Sequence, residues 1–162
     1  MKKILCLDFD GVIHSYTSGW KGPRSIPDPP VPGALEAIVE YVQAGFDVQI
    51  FSSRSRYFGA RWAMKQWLKW HYGVMGAMGD TRKGYDAIPQ PFRRWIGETA
   101  FADPWQHELD YAIRRLLRQI KFPTEKPPAI MTIDDRAFQF NGSFPSPGYI
   151  AEFKPWNKGG LL

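Results

Sequence analysis

The chain has 162 residues, 44% hydrophobic and 15% aromatic, which suits one domain with its own core. No apolar run approaches the length of a membrane span, and a single cysteine, Cys6, excludes an internal disulfide; the expectation is a cytoplasmic protein with Cys6 buried in a strand. The net charge of +5, from 21 basic and 16 acidic residues, favours anionic ligands in general and by itself identifies no nucleic-acid partner.

Residues 3–8 form a short apolar run ending in charge and predict a buried strand. Residues 14–32 are irregular and proline-rich, a covering loop that delivers the chain to a helix. That helix is predicted over 34–44 by the spacing of Leu35, Ile38, Val39 and Val42, with Gly45 as its stop. A second strand, 46–51, runs into Ser52-Ser53-Arg54, and a helix rich in tryptophan (Trp62, Trp67, Trp70) follows at about 58–72, its aromatics read as core. Asp103-Pro104 has the form of a helix start, and Leu109, Ala112, Ile113, Leu116, Leu117 and Ile120 lie on one face behind it, with Arg114, Arg115 and Arg118 solvated. Residues 129–133 predict another buried strand ending in Asp134-Asp135, and 149–153 a last one. Strands alternating with helices predict parallel pairing in an α/β layer fold, one domain over 1–162.

Three strands therefore end in polar residues: Asp8 and Asp10, Ser52, and Asp134 with Asp135. In an open parallel sheet, ligands bind beyond the carboxyl ends of the strands, so these groups are expected to converge. Carboxylates crowded together need a compensating charge, and hard oxygen donors suit Mg2+. Lys126, just before the third strand, is a candidate second positive charge.

Asp8-Phe9-Asp10-Gly11-Val12 resembles the first motif of the haloacid dehalogenase-like (HAD) phosphohydrolases. Ser52 resembles their second motif, Lys126 the third and Asp134-Asp135 the fourth, all in the family's order; the run from Lys126 to Ala137 is similar to small HAD proteins of bacteria and phages. The resemblance implies a three-layer, Rossmann-like parallel sheet with helices on both faces and a small cap or none. It implies a Mg2+-dependent phosphatase in which Asp8 attacks phosphorus and forms an aspartyl-phosphate, while Asp10 acts as acid and then base. Ser52 and Lys126 would stabilise the phosphoryl group, and Asp8, the Asp10 backbone carbonyl and the Asp134-Asp135 pair would hold the metal, with Asp135 favoured for direct contact. Gly11, Ser53 and Arg54 are the candidates for substrate contact; for Arg54, an ion pair to the acidic cluster is the alternative.

Residues 73–118 exceed what a capless member needs and read as an insertion. Its Arg82, Lys83, Tyr85, Arg93, Arg94 and Trp95 interleave basic and aromatic groups, which suits a nucleotide or polynucleotide end as well as ordinary packing. The expected substrate is a phosphorylated small molecule or a nucleic-acid end. Two other readings stand beside it: a receiver-like phosphoacceptor module, and a catalytically idle HAD-like binding protein.

Overall fold

The structure, a computed structural model, describes residues 2–78, 105–137, 139 and 141–159. The described chain is an α/β unit built on a three-stranded parallel sheet: β1 (Ile4–Asp8), β2 (Asp47–Phe51) and β3 (Met131–Ile133), in the order β2-β1-β3. β1 is central. Leu5 pairs with Val48 on one side and Met131 on the other, and Leu7 pairs with Ile50 and Ile133. Beyond β2, Lys121 adds a short bridge to Gln49.

Side chains alternate across a strand, so Leu5, Leu7, Val48 and Ile50 share one face while Cys6, Gln49 and Thr132 share the other. The first face carries the core. It meets α1 (Ala34–Gln43), α2 (Ala60–Met78) and α3 (Trp105–Gln119) through Ile38, Val39, Met64, Leu68, Ile113 and Leu116. Tyr72 of α2 donates its hydroxyl to the Leu35 carbonyl of α1 at 2.9 Å, fixing the two helices to each other. The chain then returns from Lys121 to β3 as a proline-rich loop. Lys126 on that loop lines a cavity with Cys6 and Thr132, which places the loop over the second face. Cys6 is buried, as expected.

Several boundaries differ from the expectation. The tryptophan-rich helix continues to Met78 through Gly73 and Gly76. A Cβ on Gly76 would fall 2.6 Å from Leu109 Cδ1, so this glycine is the contact that admits α3 rather than a helix stop. Of the three tryptophans only Trp67 joins the core; Trp62 and Trp70 are exposed. The core stripe of α2 is Ala60, Met64, Trp67, Leu68 and Tyr72, and a residue two positions from a stripe residue points away from it. β3 is an edge strand with Met131 exposed, not a fully buried one. Residues 149–152 lie in a short helix, α4 (Pro147–Glu152), with Phe153 just past its end, and not in a strand. Ser146 caps it by accepting from the Tyr149 N–H, with Pro147 at the first helical position.

Of the expected insertion, residues 73–78 belong to α2 and 105–118 to α3, and the side chains of Leu109, Ala112, Ile113, Leu116 and Leu117 pack in the core. Arg82, Lys83, Tyr85, Arg93, Arg94 and Trp95 lie outside the described residues. Among the described residues no helix is long and apolar enough to cross a membrane.

Candidate active site

The parallel register brings the ends of β1, β2 and β3 to one side of the sheet, and the expected site residues assemble there. Asp8 closes β1, and its Oδ1 accepts the N–H of Phe9 at 2.7 Å. Asp134 and Asp135 follow β3 directly. Asp8, Asp134 and Asp135 each offer a carboxylate oxygen within 4.8 Å of the others. A cavity of about 150 Å³ opens beside them, walled by Asp8, Asp134, Ser52, Ser53 and Lys126 and floored by Cys6 and Thr132.

Asp135 is the tightest member of the trio. Its side chain is fully buried, and neither carboxylate oxygen has a hydrogen-bond partner among the described residues. The nearest cation is Arg136, whose Nε lies 3.6 Å from Oδ2. A buried carboxylate left in this state is costly unless a cation or a proton meets it. Burial raises the Asp135 carboxyl above its ordinary range; Arg136 pulls it back, and the charge of Asp134 adds to the rise. Burial pushes Asp8 up to about 7, helped by the charges of Asp134, Asp10 and Asp135 and opposed by the Phe9 N–H. Three hard oxygen donors, two of them held above their ordinary range by burial and by one another, are the donor set a small divalent cation suits. The residues present therefore fit Mg2+.

Gly11 explains how Asp135 gets so close. Its φ of 93° is a left-handed conformation that other residues adopt at a cost. A Cβ there would lie 2.6 Å from Asp135 Cγ. Gly11 thus works as a packing surface for the trio, and its carbonyl accepts from the Trp156 indole Nε1–H at 2.8 Å.

Asp10 takes a different position from Asp8. Its Oδ2 accepts from Arg54 Nε at 2.6 Å and from the Ser52 hydroxyl at 3.3 Å, and its Oδ1 lies 2.9 Å from His14 Nδ1. The Asp28 N–H donates to His14 Nε2 at 3.1 Å, so the proton of that ring sits on Nδ1 and faces Asp10. Burial works to raise the Asp10 carboxyl, but the hydrogen bonds from His14 and Arg54 and the Arg54 charge outweigh it and hold it below its ordinary value. Its side chain does not belong to the carboxylate trio.

Arg54 is completely buried, and it is the ion-pair alternative that the geometry produces. Its Nη1 donates to the carbonyls of Gly22 at 2.7 Å and Ser25 at 2.9 Å, so one guanidinium ties the proline-rich loop to the site. Ser52 ends β2 and caps the following 3-10 turn, Ser53–Arg56; its Oγ accepts the Arg54 N–H, and Ser55 Oγ accepts the Ser52 N–H. That reciprocal cap holds the Ser52 hydroxyl in the cavity wall while its proton is shared with Asp10. Lys126 is solvent-exposed on its loop at the cavity rim.

His14, Asp28 and Trp156 escaped sequence reading. His14 and Asp28 sit in a proline-rich stretch with no periodicity, and Trp156 lies 145 residues from the carbonyl it caps. The only local signal was the Asp10-x-x-x-His14 spacing, which here belongs to a turn in which the His14 N–H returns to the Phe9 carbonyl at 2.8 Å. No protein-family model matches this chain, and no curated protein or solved structure matches it either.

Proposed function

We propose that this chain is a Mg2+-dependent phosphatase of the HAD type that hydrolyses a phosphomonoester through an aspartyl-phosphate on Asp8. The observation that carries this reading is the meeting of Asp8, Asp134 and Asp135 at the strand ends, within 4.8 Å of one another, beside a cavity that Ser52 and Lys126 also line. On this reading the sheet is the middle of a three-layer, Rossmann-like domain with helices on both faces, of which α1, α2 and α3 occupy one.

Asp8, Asp134 and Asp135 would hold the ion. Bound Mg2+ supplies charge neutralisation that lets a carboxylate approach an anionic phosphoryl group. The Phe9 N–H fixes the Asp8 carboxylate through Oδ1 and orients the group for in-line attack on phosphorus. An Asp8 oxygen forms the new P–O bond as the bond to the leaving oxygen breaks. Ser52 and Lys126 line the cavity; Lys126 would offer its ammonium to the phosphoryl oxygens, and Ser52 its hydroxyl on turning from Asp10. Water then attacks the phosphorus of the acyl phosphate, releases inorganic phosphate and restores Asp8.

Asp10 is suited to the second half of this cycle, because Arg54 and His14 keep it ionised and able to take a proton from water. The same two partners oppose protonation, so its service as an acid to the leaving oxygen is the weaker half. That lock is also what favours the alternative of a catalytically idle binding protein, with Asp10 only a structural anchor. Release of phosphate from an aryl phosphate, with and without Mg2+, separates the two. The phosphatase reading expects Mg2+-dependent turnover that Asp8→Asn abolishes and Asp10→Asn lowers. Turnover by Asp8→Asn equal to wild type excludes the covalent route, a stable phosphoprotein without turnover points to a receiver-like module, and no release from any phosphomonoester points to the idle protein.

A further inference from the structure

The proline-rich loop and the turn after β2 together form a surface that the chemistry above does not use. Trp20, Tyr57, Phe58 and Trp62 are all exposed, Phe58 at 96% and Trp62 at 65%. Exposed apolar side chains scattered singly need no explanation, but these are gathered. Trp20 and Tyr57 stand 6.1 Å apart between ring centroids. Arg54 lies 4.7 Å from the Trp20 ring centre and Arg56 5.5 Å from that of Tyr57. Arg24 packs across Gly59, its Cδ 3.2 Å from where a Cβ would sit, and so joins the two segments.

The two described segments that form this surface also carry no acidic residue. No Asp or Glu occurs between Asp10 and Asp28 or between Asp47 and Asp80. Within those stretches Lys21, Arg24, Arg56 and Arg61 are exposed. The patch is continuous with the candidate site, since Ser53 lines the cavity and begins the turn that leads out to Arg56, Tyr57 and Phe58.

We infer that this face is a stacking platform for a single-stranded polynucleotide whose terminal phosphate enters the cavity at Asp8. The inference rests on the phosphatase reading for the position of the phosphate and extends it by naming the substrate class. Bases stack on aromatic faces regardless of sequence, and a row of arginines and lysines follows the phosphodiester backbone. Acid-free segments with the exposed Arg56 guanidinium held over the Tyr57 ring offer both at once. A single small phosphate ester would use the cavity and leave Phe58 and Trp62 without purpose.

Binding is read by fluorescence anisotropy with a labelled, terminally phosphorylated DNA strand of about a dozen nucleotides, a length that spans a typical single-strand site. Asp8→Asn protein is used, so that no turnover intervenes. Phe58→Ala and Trp62→Ala are each expected to weaken binding roughly 5- to 150-fold, the range of one lost stacking contact. Arg56→Gln is expected to lower the slope of log Kd against log salt by about 0.7, the single-strand value for one phosphate contact. Phe58→Ala and Trp62→Ala in the otherwise native chain should keep the wild-type rate on an aryl phosphate, which fits the cavity alone. Strand binding that ignores all three substitutions overturns the inference. So does a phosphopeptide of equal charge that binds as tightly as the strand, or a requirement for Phe58 and Trp62 in sedimentation with phosphatidylglycerol vesicles instead of in strand binding. The two claims fail separately. Aromatic-dependent strand binding without aryl phosphatase activity supports this surface and sinks the phosphatase, whereas an active phosphatase that binds no strand sinks the surface alone.

Discussion

The Asp135 carboxylate packs against Gly11 with no room for a side chain between them: a Cβ would sit 2.6 Å from Asp135 Cγ. Gly11→Ala should therefore act twice. Holding alanine at a φ of 93° costs about 1–3 kcal/mol of stability, measurable by urea unfolding. The added methyl also displaces Asp135, so the Mg2+-induced rise in Tm should shrink in this variant. Loss of stability with an undiminished Mg2+ response would show that Gly11 serves the turn and not the trio.

Arg54 and Asp10 make the buried ion pair of the site, at 2.6 Å. Arg54→Met leaves a buried carboxylate uncompensated and should cost about 3–5 kcal/mol. Arg54→Lys should recover little, because an ammonium cannot reach Asp10 and the Gly22 and Ser25 carbonyls in the same fork geometry. The sign with pH follows from the direction of the Asp10 shift. A carboxyl held below its ordinary value of 3.8 contributes stability above that pH and loses it as the pH falls through the folded value. The gap between wild type and Arg54→Met should therefore be largest near neutral pH, narrow in acid as the unpaired, buried Asp10 of the variant takes up a proton, and finish closing below the lowered Asp10 value of wild type. Urea unfolding across pH checks it; a gap that persists unchanged in acid contradicts the pairing.

Asp8 behaves in the opposite sense. Raised from 3.8 to about 7, it binds a proton more tightly folded than unfolded, so in metal-free protein its contribution lowers stability as pH rises through that window. A divalent ion competes with that proton. Apparent Mg2+ affinity should fall about tenfold per pH unit below 7, and the Mg2+-induced shift in Tm should grow from pH 5 to pH 8. A Tm shift independent of pH would mean that the ion binds away from Asp8.

Lys126 is exposed on the loop over the Cys6 face of the sheet, so its removal should cost the fold little. Lys126→Met should stay within about 0.5 kcal/mol of wild type in urea unfolding. Its turnover should drop by about a hundredfold if the ammonium stabilises the phosphoryl group. Unchanged kcat with unchanged stability would remove Lys126 from the site.

The parts legible in the sequence were those with a local signature. β1, β2 and β3 are short apolar runs that run into polar residues, and their parallel pairing follows from the helices between them; the meeting of Asp8, Ser52 and Asp134-Asp135 then follows from register. What was not legible depends on contacts far apart in the chain. Arg54 and Asp10 are separated by 44 positions, and nothing near either residue announces that the guanidinium is buried. Trp62 and Trp70 are apolar enough for the core, but the stripe of α2 turns them outward. Tyr149 to Phe153 has strand-like composition, and the Ser146-Pro147 cap decided for helix instead. The acid role expected of Asp10 likewise depends on two partners, His14 and Arg54, on its two oxygens.

The proposed phosphatase requires a divalent cation on Asp8, Asp134 and Asp135, and calorimetric titration with Mg2+ at neutral pH tests for it without any knowledge of the substrate. Wild type should bind one ion per chain; Asp8→Asn and Asp135→Asn should each weaken it at least about tenfold, while Asp47→Asn, whose carboxylate is engaged by Lys121 at the far end of β2, should bind as wild type does. No heat of binding in wild type, or equal affinity in all four proteins, would contradict the account.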